Sequence, residues 1–231
     1  MNNRRVVITG MGAVSPIGND LPTIWDNLMK GYCGIDFIKS FDASDLPVKI
    51  AAELKDFDPE ACGVEKAFVK RNDRFAVYTL AAAYQAMKDN EDLQMSPERL
   101  GVYVGSGIGG FDTIMKGVKT YYEEGARWIS PMMIPTMIGN QASGSVAIRY
   151  NAQGPCVPIV TACATGTHSI GMKVPVAAEF NTFMFFTFHV SLLHLIIDFS
   201  LLEMLSFLSL NKFTLFALLL LHIFSVLLHS S

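Results

Sequence analysis

The chain has 231 residues, of which 51% are hydrophobic and 17% are charged, and its formal net charge is −3. This length can bury a core in one large domain or two small ones. The charge balance provides no broad basic field, which argues against nucleic acid as a partner.

Two different compositions are joined end to end. All 18 glycines, all four cysteines and both tryptophans lie at or before residue 171. Residues 1–171 carry 16 Lys or Arg and 18 Asp or Glu, a balance typical of a soluble α/β protein. From Val174 onward, 34 of 58 residues are Phe, Leu, Ile, Met or Val. We therefore divide the chain into a domain at 1–171 and an apolar tail at 172–231.

A short strand buried on both faces is predicted at residues 6–9. A secretory signal would need a longer apolar segment there, so we expect the domain to be cytoplasmic. The loop at 10–16 contains two glycines, but Ser15 stands where a dinucleotide-binding loop needs its third. The pattern therefore favours a tight glycine turn at the end of the strand.

Helical spacing of apolar residues predicts a short helix at 23–30 and a longer one at 74–89. A second buried strand is predicted at 100–104. It leads into residues 105–110, which contain four glycines and predict a close approach of backbone or ligand. Phe111 and Asp112 follow instead of the lysine that a phosphate-binding loop requires.

Asp112 is predicted to cap a helix that runs to about Glu124. Prolines interrupt the apolar stretch at 128–140, which includes Met133. Its methionines fit either core packing or the wall of an acyl-binding site or subunit contact. A helix at 141–150 and a strand at 157–160, with a proline inside it, complete the pattern.

The four cysteines, at 33, 62, 156 and 163, are irregularly spaced and include no Cys-x-x-Cys pair. This spacing supports neither a metal site nor a secreted disulfide framework. We therefore expect free thiols, no metal and no cofactor.

Cys163 lies between a predicted strand and a predicted helix. Unpaired backbone N–H groups and the positive end of the helix dipole converge at such a turn, and both favour a thiolate. The small neighbours Ala162, Ala164 and Gly166 leave room for a bulky reactant, and the N–H of Cys163 can help to hold an oxyanion. Without family knowledge, a buried packing role for such a cysteine is the more common outcome.

Three collinear segments carry a family resemblance. They are residues 6–18, which begin Val-Val-Ile-Thr-Gly-Met-Gly, residues 105–110, and residues 161–171, which read Thr-Ala-Cys-Ala-Thr-Gly-Thr-His-Ser-Ile-Gly. In this order they resemble the β-ketoacyl-acyl carrier protein synthases, in particular the elongating synthase II type. The resemblance covers residues 4–171.

The resemblance implies the N-terminal half of a layered, thiolase-like α/β fold that forms a homodimer, and we expect the three predicted strands to lie adjacent in one sheet of this fold. It also implies fatty acid chain elongation with acyl carrier protein as the partner. An acyl chain moves from the carrier protein to Cys163, and decarboxylating malonyl-carrier protein then attacks the thioester. By the same resemblance, Gly107 and Ile108 border the acyl pocket, and Ala162 flanks the sulfur. The stretch around Met133 approaches the tunnel of the second subunit.

The resemblance also implies two histidines that stabilise an enolate and a second oxyanion donor, all from the other half of the fold. None of the five histidines stands in the His-Gly or Gly-His setting that the family uses: His168, His189, His194, His222 and His229. His168 lies roughly 140° around a helix from Cys163, so we interpret it as structural. We therefore expect incomplete turnover. The alternatives are an inactive, truncated fragment and a membrane-anchored protein with a synthase-like head.

Two interpretations of the apolar tail stay open. T-rich DNA read in an unintended frame, through a frameshift or a retained intron, encodes Phe, Leu, Ile, Met and Val. Alternatively, the apolar runs at 183–197 and 213–228 form a membrane anchor, although each is shorter than the ~20 residues of a typical spanning helix. Flanking arginines and aromatic belts are missing from the tail, which favours the first interpretation.

Overall fold

The structure is a computed structural model that describes residues 7–90 and 96–180, with backbone alone for 173–180. The described helices are α1 (Leu21–Met29), α2 (Lys66–Arg71), α3 (Arg74–Lys88), α4 (Phe111–Glu123), α5 (Met133–Met137), α6 (Gln141–Arg149) and α7 (Thr165–Phe180). The described strands are β1 (Asp36–Phe37), β2 (Ile50–Ala51), β3 (Val102–Gly105) and β4 (Cys156–Ile159). Short 3-10 turns occupy Pro97–Arg99, Ala126–Trp128 and Ala162–Ala164.

Strands β3 and β4 pair in parallel, with Val102 opposite Cys156 and Gly105 opposite Ile159. Their carboxyl ends therefore lie at the same edge, and the segments that follow them emerge side by side. Those segments are the glycine-rich loop at 105–110 and the turn that carries Cys163. Strands β1 and β2 form a separate antiparallel pair.

The core lies where α3 and α6 pack over β3. Alanines such as Ala76 and Ala81 are fully buried on α3, and their small side chains allow close helix packing. Val146 of α6 and Val102 of β3 are also fully buried. The helices predicted at 74–89 and 141–150 are confirmed with ends that differ by one residue. The strands predicted at 100–104 and 157–160 are confirmed with shifts of one or two residues.

The prediction of a strand at 6–9, paired in one sheet with the other two, is wrong for residues 7–9, which form no strand. Val7 and Ile8 are 64% and 63% exposed, and within the described part of the chain no β-ladder reaches them. The glycines that follow have a different use. Cβ atoms at Gly10 and Gly12 would collide with backbone carbonyl oxygens of α3, so both glycines let the chain lie directly on that helix.

The prediction that Asp112 caps α4 is also wrong. The Asp112 carboxylate instead accepts from the guanidinium of Arg74, at 2.5 Å from Nε. The cap comes from Asp73, at the start of α3, whose Oδ2 accepts from both the N–H and the hydroxyl of Thr113 at 2.8 Å. Asp73, the residue before α3, and Arg74, its first residue, thus hold the first turn of α4. An orphan N–H can be satisfied from another helix as well as from its own N-cap residue.

Helix α7 continues past residue 171 to Phe180. The apolar runs predicted at 183–197 and 213–228 lie outside the described residues. Within the described residues, no helix combines the length and apolarity needed to cross a membrane.

Candidate functional site

Cys163 lies in the 3-10 turn Ala162–Ala164, between the end of β4 and the start of α7, and its side chain is exposed. The predicted strand-to-helix setting is therefore confirmed. Two backbone hydrogen bonds form this turn: Ala164 N–H donates to Thr161 O, and Thr165 N–H donates to Ala162 O. Neither uses the N–H of Cys163, so the turn leaves this donor available to a ligand.

The residue before the nucleophile candidate has strained backbone. Ala162 has a φ of +48°, in the left-handed region that L residues rarely occupy. Such a conformation costs roughly 1–2 kcal/mol for a residue with a Cβ atom. Surrounding contacts must therefore hold the turn, and strained backbone of this kind is common at functional sites.

Thr165, the first residue of α7, supplies one of those contacts. Its Oγ1 accepts a hydrogen bond of 2.9 Å from the backbone N–H of Thr161, and the residue is only 6% exposed. A Cβ at Gly105 would collide with Cγ2 of Thr165, so the missing side chain of Gly105 makes room for it. Thr165 thus connects the end of β3 with the Cys163 turn.

The glycine-rich loop lies beside the same turn. A Cβ added at Gly107 would lie 3.7 Å from the carbonyl oxygen of Ala162, which is ordinary van der Waals contact. Ile108 is 45% exposed. The loop is held from within by Gly109 N–H, which donates to the Ser106 hydroxyl at 2.9 Å. The structure therefore brings Gly107 and Ala162 together.

Met133 is placed against a different element. It is the first residue of α5 and is half-buried, and its thioether packs on Gly117 of α4. Gly110 N–H donates to Met137 O at 2.8 Å, which connects α5 to the glycine-rich loop. Met133 is thus linked to the loop through the body of α5.

Exposure and burial distinguish the cysteines. Cys33, Cys156 and Cys163 are exposed, whereas Cys62 is partly covered. Burial raises the pKa of the Cys62 thiol, because a buried thiolate loses solvation. The nearby carboxylates of Asp58 and Asp20 raise this pKa further, whereas a hydrogen bond with Gln85 lowers it.

His168 is exposed on α7. In the part of the chain that the structure describes, no three His, Cys, Asp or Glu side chains gather into a possible metal site.

Sequence reasoning missed two residues near the site. Thr165 stands in the segment around Cys163, and a threonine at a predicted helix start was the available signal for a hydrogen bond between its side chain and nearby backbone. Asp73 precedes α3 and has the appearance of an N-cap for that helix, but its carboxylate caps α4 instead. Only the packing of α3 against the start of α4 shows this role.

The class of the protein follows from fold and site together: an α/β domain that presents a cysteine at the junction of a parallel strand and a helix. Residues 3–174 match the family described as the beta-ketoacyl synthase N-terminal domain. The chain belongs to this family. The match confirms the resemblance stated from residues 4–171.

Two curated relatives carry the name 3-oxoacyl-[acyl-carrier-protein] synthase 2. The one from Staphylococcus aureus (strain COL) is 47% identical over 171 residues, which cover 73% of this chain and 41% of the relative. The one from Coxiella burnetii (strain RSA 493 / Nine Mile phase I) is 45% identical over 173 residues, covering 74% and 42%. The chain thus spans about two fifths of the length of these relatives.

Solved structures agree on the fold. A beta-ketoacyl synthase from Burkholderia phymatum STM815 superposes with a TM-score of 0.67 at 27% identity, covering 78% of this chain and 45% of that one. The ishigamide ketosynthase/chain length factor gives a TM-score of 0.69 at 25% identity, with the same coverage. The predicted thiolase-like α/β fold, as its N-terminal half, is confirmed for the described residues.

Proposed function

We propose that residues 1–171 are the nucleophile-bearing half of a 3-oxoacyl-[acyl-carrier-protein] synthase, and that Cys163 accepts the acyl chain. The observation that carries the proposal is the exposed Cys163 thiol at the N-terminal end of α7, on a turn whose own hydrogen bonds leave the Cys163 N–H unused. The positive end of the α7 dipole lies beside this sulfur, and the unused N–H can stabilise an oxyanion.

The proposed acyl transfer needs only Cys163, the incoming thioester and proton exchange with solvent. Cys163 gives its proton to solvent, and its Sγ bonds to the carbonyl carbon of the incoming thioester. The Cys163 N–H donates to the oxyanion that forms. The bond between that carbon and the donor sulfur then breaks, and the departing thiolate takes a proton from solvent. Condensation with a malonyl group adds two carbons, with the loss of carbon dioxide, and completes the proposed elongation reaction.

Gly107, Ile108 and Ala162 are proposed to border the acyl chain. The approach of Gly107 to the Ala162 carbonyl supports this assignment, because a glycine there leaves space beside the sulfur. Met133 is proposed to form a further wall at α5. The donor is proposed to be acyl carrier protein, which the names of the two relatives include.

A homodimer is the proposed assembly. Exposed apolar side chains on α4 and in the segment after it support a subunit contact, since such a surface favours burial: Met115, Val118, Tyr122, Trp128 and Met132. Sedimentation of the parent and of Tyr122→Glu tests this, with Phe37→Glu as an exposed apolar control on β1. We expect Tyr122→Glu alone to shift the protein toward monomer; equal sedimentation of the three proteins contradicts the proposal.

The division at residue 171, a cytoplasmic location and the origin of the apolar tail are proposals too. We favour translation outside the intended frame for 172–231 over a membrane anchor. The nucleotide sequence across codon 173 tests this, since a synthase frame continuing in another register, or a splice donor, supports it. Recovery of the expressed chain in a membrane fraction supports the anchor.

Mass spectrometry of the purified chain after incubation with acyl-acyl carrier protein tests the proposed function. We expect a slowly formed, hydroxylamine-sensitive acyl adduct on the peptide that contains Cys163. Cys163→Ser should abolish the thioester adduct, and Cys156→Ser, which replaces another exposed thiol, should keep it. A parent protein without this adduct would instead be the inactive fragment.

A further inference from the structure

The hydroxyl of Thr165 closes the Cys163 turn from the helix side. It accepts the 2.9 Å hydrogen bond from Thr161 N–H, so one bond joins the residue before the turn to the residue after it. Cys163 lies midway between the two. Because Thr165 is only 6% exposed, water competes poorly for this hydroxyl.

The backbone alone does not account for the shape of this turn. The ladder of β4 ends at Ile159, so it gives Thr161 no strand partner. Ala162 is held at a φ of +48°, and Thr161 has a φ of −139° with a ψ of 41°. A residue strained in this way persists only where its surroundings hold it. The hydroxyl of Thr165 anchors Thr161, and Cγ2 of Thr165 is itself seated against Gly105.

We propose that Thr165 is a positioning residue for acyl transfer: through Thr161 it holds the Cys163 N–H in the direction from which the oxyanion of the thioester must be stabilised. This inference rests on the proposed function of Cys163. Thr165 touches neither the acyl group nor the sulfur in this role. Its contribution is the fixed geometry of the donor, which must be in place before charge develops.

Two electrophiles separate positioning from general loss of structure. Transfer from hexanoyl-N-acetylcysteamine forms an oxyanion and needs the aligned N–H, whereas alkylation by iodoacetamide is a displacement at carbon that forms none. Both rates are measured at Cys163 by mass spectrometry for the parent, Thr165→Val and Thr165→Ser. Thr79→Val is the matched control, since it removes a buried hydroxyl of α3 that donates to Phe75 O.

For Thr165→Val we expect acyl transfer about 10-fold slower, corresponding to a hydrogen bond of ordinary strength, with alkylation changed less than about 2-fold. Thr165→Ser keeps the acceptor and should retain the parent rate of acyl transfer within about 2-fold. Thr79→Val should leave the ratio of the two rates unchanged. If Thr165→Val does not fold, Thr165→Ala provides the second variant without a hydroxyl.

Two results overturn the inference alone. One is an acylated parent whose ratio of rates is unchanged in Thr165→Val or Thr165→Ala; the other is a Thr165→Ser variant that loses as much acyl transfer as the variants without a hydroxyl. A parent that is alkylated at Cys163 but never acylated overturns the proposed function, and this inference with it.

Discussion

The reactivity of a cysteine depends on what surrounds its sulfur, and the exposed cysteines of this chain can be compared with one another. Cys33, Cys156 and Cys163 are all exposed, but Cys163 alone lies within two residues of the N-terminal end of a described helix of 16 residues. Cys156 begins β4, and Cys33 lies in the loop after α1. The three thiols are therefore alike in being exposed, and they differ in whether a helix N-terminus lies beside them.

We predict that a limiting amount of iodoacetamide at neutral pH labels Cys163 at least about 10-fold faster than Cys33 or Cys156, because only Cys163 lies beside the N-terminal end of a long helix, where backbone N–H groups and the helix dipole favour attack by sulfur. Cys62 should react slowest, because burial raises the pKa of its thiol. Peptide mapping of the adducts measures all four rates in one sample. Preferential labelling of Cys33 or Cys62 would show that the helix end has no effect here.

Glu53 offers a test of pH dependence. Burial by itself raises the pKa of the Glu53 carboxyl, but hydrogen bonds from the Ser40 hydroxyl and from the N–H groups of Lys39 and Ser40 outweigh it. The pKa therefore lies below its usual 4.5. A carboxylate with a lowered pKa stabilises the fold above its unfolded pKa and loses this effect as pH falls through the folded value.

We predict that Glu53→Gln lowers the melting temperature by about 2–4 °C at pH 7, as for a loss of about 1 kcal/mol in a domain of this size. The difference from the parent should shrink as pH falls below 4.5. Thermal melts at pH 7 and at pH 3 measure it. Glu124→Gln, at an exposed position just after α4, is the control, and a difference for Glu53→Gln that persists at pH 3 contradicts the prediction.

The junction of α3 and α4 shows how one element positions another. Asp73 is 7% exposed and accepts from two donors of Thr113, and Arg74 beside it contacts Asp112. Helix α4 begins directly after the glycine-rich loop that contains Gly107. The hydrogen bonds between the start of α3 and the start of α4 therefore also fix one end of the loop that faces the Cys163 turn.

We predict that Asp73→Ala destabilises the domain by about 1–2 kcal/mol, as for loss of a good helix cap, and lowers its melting temperature by roughly 2–8 °C. Asp112→Ala breaks only the partly exposed pair with Arg74 and should cost less than about 1 kcal/mol. Chemical denaturation of both variants compares the two losses. An equal loss of stability in both variants would show that the ion pair stabilises the junction as much as the cap does, and would contradict the prediction.

The elements that sequence predicts well are those whose pattern is local. Helix α3 shows its apolar and alanine spacing within its own 15 residues, so its ends are predictable. Residues 7–9 have the composition of a strand, but a strand also needs a neighbour, which composition does not reveal. The predicted cap of α4 was wrong for a similar reason. Asp112 is adjacent to Thr113 in the sequence, whereas Asp73, which caps the helix, is 40 positions from Thr113.

The candidate site likewise combines features that are local in the sequence with contacts between distant segments. The setting of Cys163 follows from a strand, a turn and a helix that are adjacent in the sequence, and it was predictable. The contact of Gly107 with Ala162 depends on the parallel pairing of β3 with β4, which brings distant segments together. The bond from Thr161 to Thr165 is local, but the burial that strengthens it comes from packing on Gly105.

At the scale of the whole molecule, the described sheet around the site is two strands wide. Parallel strands are usually part of wider sheets that are covered on both faces. Strand β4 has exposed residues at Cys156 and Pro158, and Val160 just after it is 59% exposed. The family relatives devote more than half of their length to residues outside this match.

We predict that a purified polypeptide of these 231 residues makes no β-ketoacyl product from acyl- and malonyl-carrier protein, even where Cys163 becomes acylated. The Cys163 N–H is the proposed oxyanion donor on this chain, and loss of a second donor typically costs about 10²- to 10³-fold in rate. The resemblance also implies two enolate-stabilising histidines, and missing groups of this kind cost a further ~10²- to 10⁴-fold. Product chromatography, with the Staphylococcus aureus relative as the positive control, measures the outcome. Product at the rate of that control would show that this chain, or a second polypeptide bound to it, supplies the missing groups.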